Sequence, residues 1–269
     1  MPIQPAYLGR VAGPITRSVD DAALMMAALS LPDERDATRL PYEALDWADF
    51  GPQDLGWLRG LRIGLLADAG WGLPVDAEIA AALNDTARRF EAAGAIVTPL
   101  RPFTTREMAD GIDRFWRMRS WLDMSALPEE RRERVLPFIR EWVAPAQSFS
   151  AAEVFHGYSQ FGALRDAAVA ACLPFDFVIS PVAPVSAFDA EWAMPTNDPK
   201  RAMEHIAFTL PFNVSEQPAI SLPCAQSTAG LPIGLQIAGR RHDDLGLLRL
   251  ARAWERLRTP LPPWPAPPA

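Results

Sequence analysis

Apolar and polar positions recur along this chain with two different periods, and the switches between them predict an α/β order. Residues 18–29 begin with serine, carry two acids next and continue in alanine, leucine and methionine, which predicts a capped, buried helix closed by Pro32. Residues 33–57 are charged and aromatic without a clear period and predict a surface excursion. Residues 61–68 then predict a strand. Residues 76–93 predict a helix with Ile79, Leu83, Ala87 and Phe90 on one face and Gly94 as its C-terminal cap, followed by a second strand at 95–100. That order predicts a right-handed crossover between parallel neighbours.

Helical periods fill 106–124, 129–143 and 151–172, interrupted at Pro128 and Pro145, a block able to cover a sheet face or stand beside a cleft. Residues 175–182 are apolar and too short for a helix, so they predict a central strand. A proline-rich loop with Trp192 and a short helix near 201–210 come next. Two β-rich runs, 219–224 and 232–238, flank a Gln-Ser-Thr-Ala-Gly bend and predict a hairpin, and 244–257 predict an amphipathic helix. The expected architecture is therefore α/β: one domain over 1–258 with a mixed β-sheet flanked by helices, a helical insert at about 105–172, and a proline-rich tail at 259–269.

Composition narrows the partners. The 269 residues carry 26 basic and 33 acidic side chains, a net charge of -7, and no basic stripe interleaved with aromatics, so nucleic acid is not expected as a partner. No apolar run reaches 18 residues and the first residues lack the order of a secretory signal, which predicts a cytoplasmic protein without a membrane span. Cys172 and Cys224 each adjoin apolar sequence and read as buried thiols.

The usual chemical signatures are absent. His156, His205 and His242 belong to no metal-ligand spacing, the glycines form no phosphate-cradling loop, and no Gly-x-Ser-x-Gly elbow occurs, so neither metal nor cofactor is expected. Ser180 and Ser221 adjoin prolines at strand ends, where a hydroxyl more often satisfies backbone than attacks a carbonyl. The sequence contains a single lysine, Lys200, in a polar loop.

The opening Gly13, Pro14, Arg17, Ser18 and Asp20, the Ser-Pro-Val-Ala-Pro run from Ser180 to Pro184, and the late Asn213, Pro218, Pro223, Gly230, Pro232, Gly234, Gln236 and Gly239 occur together in order. In this the chain resembles the amidase family. The resemblance implies hydrolysis of a carboxamide by a nucleophilic serine, a bridging serine and a lysine, with glycine-rich backbone N–H groups holding the oxyanion. The glycine- and serine-rich nucleophile segment has no counterpart in these residues, and Lys200 lies after the matched opening rather than before it. No catalytic residue is therefore assigned, and the sequence reads as the C-terminal half of the family's fold.

Glu216 stands where relatives commonly have glycine; either the position needs positive φ and is strained, or the glutamate presents a carboxylate to a substrate cleft. Glu216, His205 and Trp192 are the cleft candidates. The expected partners are a small-molecule amide once the site is completed, an N-terminal amidase segment, or a second copy through an open sheet edge. The alternative is a noncatalytic small-molecule-binding or protein-interaction protein derived from an amidase.

Overall fold

The computed structural model describes residues 9–36 and 40–260. Residues 261–269, most of the proline-rich tail, lie outside the described residues. Ser18 caps the first helix, α1 (Val19–Leu29), by accepting from the Asp21 amide, and the helix turns Val19, Ala22 and Ala23 inward. β1 (Arg62–Leu65), α2 (Ala77–Ala92) and β2 (Ile96–Pro99) follow, with Gly94 at φ 99 taking the left-handed turn between helix and strand.

The block after β2 holds α3 (Arg106–Ser125), α4 (Glu129–Glu133), α5 (Pro137–Val143) and α6 (Ala151–Cys172). The expected single helix over 129–143 is thus divided, because Pro137 has no N–H to continue the ladder and opens α5 at its first turn instead. α3 and α6 meet where Gly111 faces Gly157: a Cβ on Gly157 would stand 2.5 Å from the Gly111 carbonyl oxygen. Only two glycines permit that approach, and it seats Ile112, Phe161 and Leu164 in a shared apolar cluster with Leu210 and Val214.

β3 (Phe177–Pro181) is buried at every position. The helix expected over 201–210 is instead a pair of 3₁₀ turns at Pro199–Arg201 and Glu204–Ile206 followed by α7 (Leu210–Ser215), so the helical residues lie later than the pattern indicated. β4 (Ala219–Gln226) and β5 (Pro232–Ala238) form the hairpin, closed by the Ser227 amide on the Leu231 carbonyl (2.8 Å), and α8 (Asp244–Leu257) ends the fold.

The strands make one mixed sheet in the order β2-β1-β3-β5-β4; β1 runs parallel to β2 and β3, while β5 runs antiparallel to β3 and β4. One face, with Ile63, Ile179, Leu235 and Ile237, packs against α1, α2 and α8. The opposite face, with Val178 and Ala238, meets Cys172, Phe208 and Phe212. Among the described residues no helix is long and apolar enough to cross a membrane.

Trp254 of α8 joins the two ends of the first face. It is 1% exposed, lies 5.5 Å from the Phe90 ring and donates its indole N–H to the Pro223 carbonyl at 3.2 Å. Trp254→Ala should therefore lower unfolding free energy by about 3–5 kcal/mol, through lost packing and an orphaned carbonyl. Urea unfolding measures this, and a loss below about 1 kcal/mol would show that the face does not depend on the contact.

Candidate functional site

A groove of about 680 Å³ opens along the outer edge of β4. Its walls are the extended segment 11–18, α1, the turn from α7 into β4, and α8, so the two sequence segments richest in the family's glycine, proline and arginine positions face one another across it. Asn213 donates to the Gly9 carbonyl at 3.4 Å and holds the first segment against the second.

The turn into β4 is built on buried polar bonds. The Ser215 hydroxyl donates to Gln217 Oε1 (2.9 Å), Gln217 Nε2 donates to the Gly239 carbonyl (2.9 Å), and the Gly239 amide donates to the Pro218 carbonyl (2.9 Å). This frame forces Glu216, at the C-cap of α7, to φ 58, the left-handed region that an L side chain enters at a cost. Glu216 lines the groove, and its part-exposed carboxylate is paired with the Arg241 guanidinium. Glu216 thus has the positive φ of the strained alternative, and its carboxylate is held by Arg241, which does not line the groove.

Acidic groups at the α8 side are partly desolvated. Burial pushes the Asp244 and Glu255 carboxyls above their usual range, with Arg258 opposing the shift at Glu255. Glu255 accepts from the Val19 amide at 3.2 Å and so caps α1 from a neighbouring helix. Arg258 also lines the groove, and its Nε and Nη1 are buried without a hydrogen-bond partner.

His205 and Trp192 do not line this groove. Burial pushes the His205 imidazole below its ordinary range, with the Ala202 carbonyl opposing. Its neighbour Glu204 was not evident from sequence: it is 8% exposed and bridges Arg106 Nη1 (3.2 Å) and Arg201 Nε (2.8 Å). The Arg106 contact spans 98 positions, and no local pattern reports such a pair. Trp192 sits in the loop after β3, 42% exposed. The three cleft candidates are therefore not brought together.

The hydroxyls and thiols have structural surroundings. Ser180 is fully buried, donating to the Pro181 carbonyl and accepting from Gln236 Nε2, both at 2.9 Å. Ser221 is exposed on the β4 edge. Burial pushes both Cys172 and Cys224 up to about 11, so neither is a thiolate at neutral pH. Lys200 lies in the 3₁₀ turn capped by Asp198. Among the described residues no group of histidines, cysteines and acids could hold a metal ion.

A protein-family model described as Amidase matches residues 6–248. A glutamyl-tRNA(Gln) amidotransferase subunit of Myxococcus xanthus (strain DK1622) is 30% identical over 269 residues, covering 91% of this chain and 54% of the relative. An acylamidase of Rhodococcus erythropolis is 28% identical over 261 residues, covering 94% and 52%. A bacterial aryl acylamidase of the amidase signature enzymes superposes with a TM-score of 0.75 at 27% identity, covering 91% of this chain and 52% of that one. The chain spans about half the length of the curated relatives it matches.

Two outcomes test these local assignments. Glu216→Gly and Glu216→Ala both delete the exposed ion pair, but only glycine relieves positive φ, so Glu216→Gly should be the more stable by about 1 kcal/mol in thermal unfolding. Equal stabilities would mean the turn carries no strain. The raised thiols favour the protonated folded state, so their contribution is present below the ordinary thiol value of 9.0 and is lost as pH rises toward about 11. Alkylation of the folded chain should accordingly be slow at pH 8. Rapid labelling there at native temperature would contradict the burial.

Proposed function

This chain belongs to the amidase family, and on that premise we propose that it supplies the scaffold and part of the substrate cleft for hydrolysis of a carboxamide to a carboxylate and ammonia or an amine. The observation that carries the proposal is the convergence of residues 11–18 and 213–223, the two family-like ends, on one groove beside the open edge of β4. A purely structural remnant would not require both segments to remain packed around a common opening.

The nucleophile, bridging serine and lysine are assigned to polypeptide outside these 269 residues. Ser180 is sealed in the core, Ser221 has no lysine or histidine hydrogen-bonded to it among the described residues, and Lys200 is held in a turn that does not line the groove. Of the cleft candidates, only Glu216 lines the groove; His205 and Trp192 would contribute only to a cleft extended by further polypeptide. The relatives named as amidotransferase subunits make a protein partner a natural source of that polypeptide.

Purified residues 1–269 should leave a panel of aliphatic and aromatic amides unhydrolysed and should take no label from a serine-reactive probe. Losing one oxyanion donor alone costs about 10²-fold or more in turnover, so the missing constellation leaves little. The same assay with the unmatched part of the Rhodococcus erythropolis acylamidase added tests the scaffold role, and turnover there is the expected gain. A covalent serine adduct and robust turnover on this chain alone would overturn the proposal. Amide binding without turnover in both arms would favour the noncatalytic reading.

A further inference from the structure

We infer that the outer face of α6 is a self-association surface, on which a second copy of this chain lays its own α6 antiparallel about a two-fold axis through Gly162. α6 is apolar on both sides. Its inward side seats Phe161, Leu164, Ala168 and Cys172 in the fold. Its outward side carries Phe155, Gly162 and Val169, continued by the helical C-cap Leu173, in steps of seven, seven and four residues that keep to one face of an α-helix. Phe155 is 73% exposed and Leu173 68%, with Tyr158 and Val169 also exposed between them. A helix apolar all round belongs in an interior, and among the described residues only one of its sides is covered.

The order of features along the stripe identifies the occupant. An antiparallel pair centred on Gly162 sets residue 155 opposite 169, 158 opposite 166, 159 opposite 165 and 151 opposite 173, and each pair matches in chemistry. Gly162 stands at the crossing point, where a Cβ would meet nothing within 4 Å, so two backbones can approach closely. Phe155 then meets a shallow depression of about 390 Å³ whose lining includes Val169, Ala170 and Arg241. The aliphatic side chains receive the ring, and the Arg241 guanidinium offers it a cation–π contact. Tyr158 is steadied by the rings of Phe115 at 5.1 Å and Phe161 at 5.7 Å, and in this register its hydroxyl donates to the exposed Asp166 carboxylate of the second copy. The Ser159 hydroxyl, whose proton goes to the Phe155 carbonyl at 2.9 Å, is left to accept from Arg165.

Charge selects the same arrangement. Arg165 and Asp166 balance on the stripe, so two copies meet there without like-charge repulsion although the whole chain carries a net charge of -7. A parallel pair would set Asp166 against Asp166 and Phe155 against Phe155, leaving the depression empty. From Ala151 to Leu173 the stripe offers about 33 Å of helix, the width of a small domain. None of these residues lines the groove along β4, so the inference does not depend on the scaffold reading.

The experiment is sedimentation velocity on residues 1–269 from low to high micromolar concentration, where a monomer–dimer equilibrium is expected. Phe155→Asp and Val169→Arg both change exposed positions, so the helical circular dichroism should stay as it is while each variant alone weakens the dimer roughly tenfold or more. An equimolar mixture of the two should return to within about threefold of the unaltered chain, because an acid at 155 of one copy then faces a base at 169 of the other. Under mild oxidation Gly162→Cys should link two copies through a disulfide, whereas Phe155→Cys should not, its two positions lying about 21 Å apart along the pair. A monomer throughout this range overturns the inference. So does a dimer that survives both single variants, since its contact would lie elsewhere, such as the β4 edge. A mixture no tighter than its components, or linkage through position 155 in place of 162, would overturn the antiparallel arrangement and the inference with it.

Discussion

The architecture depends on β3, a five-residue strand with a parallel neighbour on one side and an antiparallel neighbour on the other. Every one of its residues is buried, so both sheet faces must be covered above and below it. α1, α2 and α8 cover one face, while α6, α7 and the loop before α7 cover the other. The Gln236 amide locks this joint by donating to Ser180 of β3 and to the Phe208 carbonyl, each at 2.9 Å. A buried polar side chain with both donors satisfied gives the β3/β5 register a specificity that apolar packing alone does not.

Among the described residues the sheet ends at β2 on one side and at β4 on the other, and the groove lies along the β4 edge. Its lining combines exposed apolar rim residues, outward backbone groups and an Arg258 guanidinium with unpartnered donors. Such a mixture differs from a finished small-molecule pocket, where the few polar groups converge on one ligand. The chain spans about half the length of the relatives it matches. At Glu216 the strain of φ 58 is held by the Ser215–Gln217–Gly239 bonds while its carboxylate pairs with Arg241.

Much of this was legible along the chain. The strand, helix, strand order of β1, α2 and β2, the buried character of β3 and the β4/β5 hairpin all follow from short-range periodicity and turn residues, and the strands lie where the pattern places them. The misjudged elements, the helices expected over 129–143 and 201–210, share a cause: proline determined where a helix could start, and apolar spacing continued across the break. The site was less legible. Glu216 reaches the groove, but its companions there, Arg258 and Glu255, are brought in by α8 from the far end of the chain, and Glu204 draws two arginines together that share no local pattern.

Residue order was enough to settle the class of fold and the family, because residue identity and periodicity are local quantities. Folding in three dimensions settled the strand order, that Ser180 is sealed while Ser221 is exposed, and that residues 11–18 and 213–223 face one another. Those outcomes depend on strand order and on contacts between residues some 200 positions apart, such as Asn213 with Gly9. The free energy of such contacts comes from burying surfaces that meet only when the chain has folded, so no window along the sequence contains them.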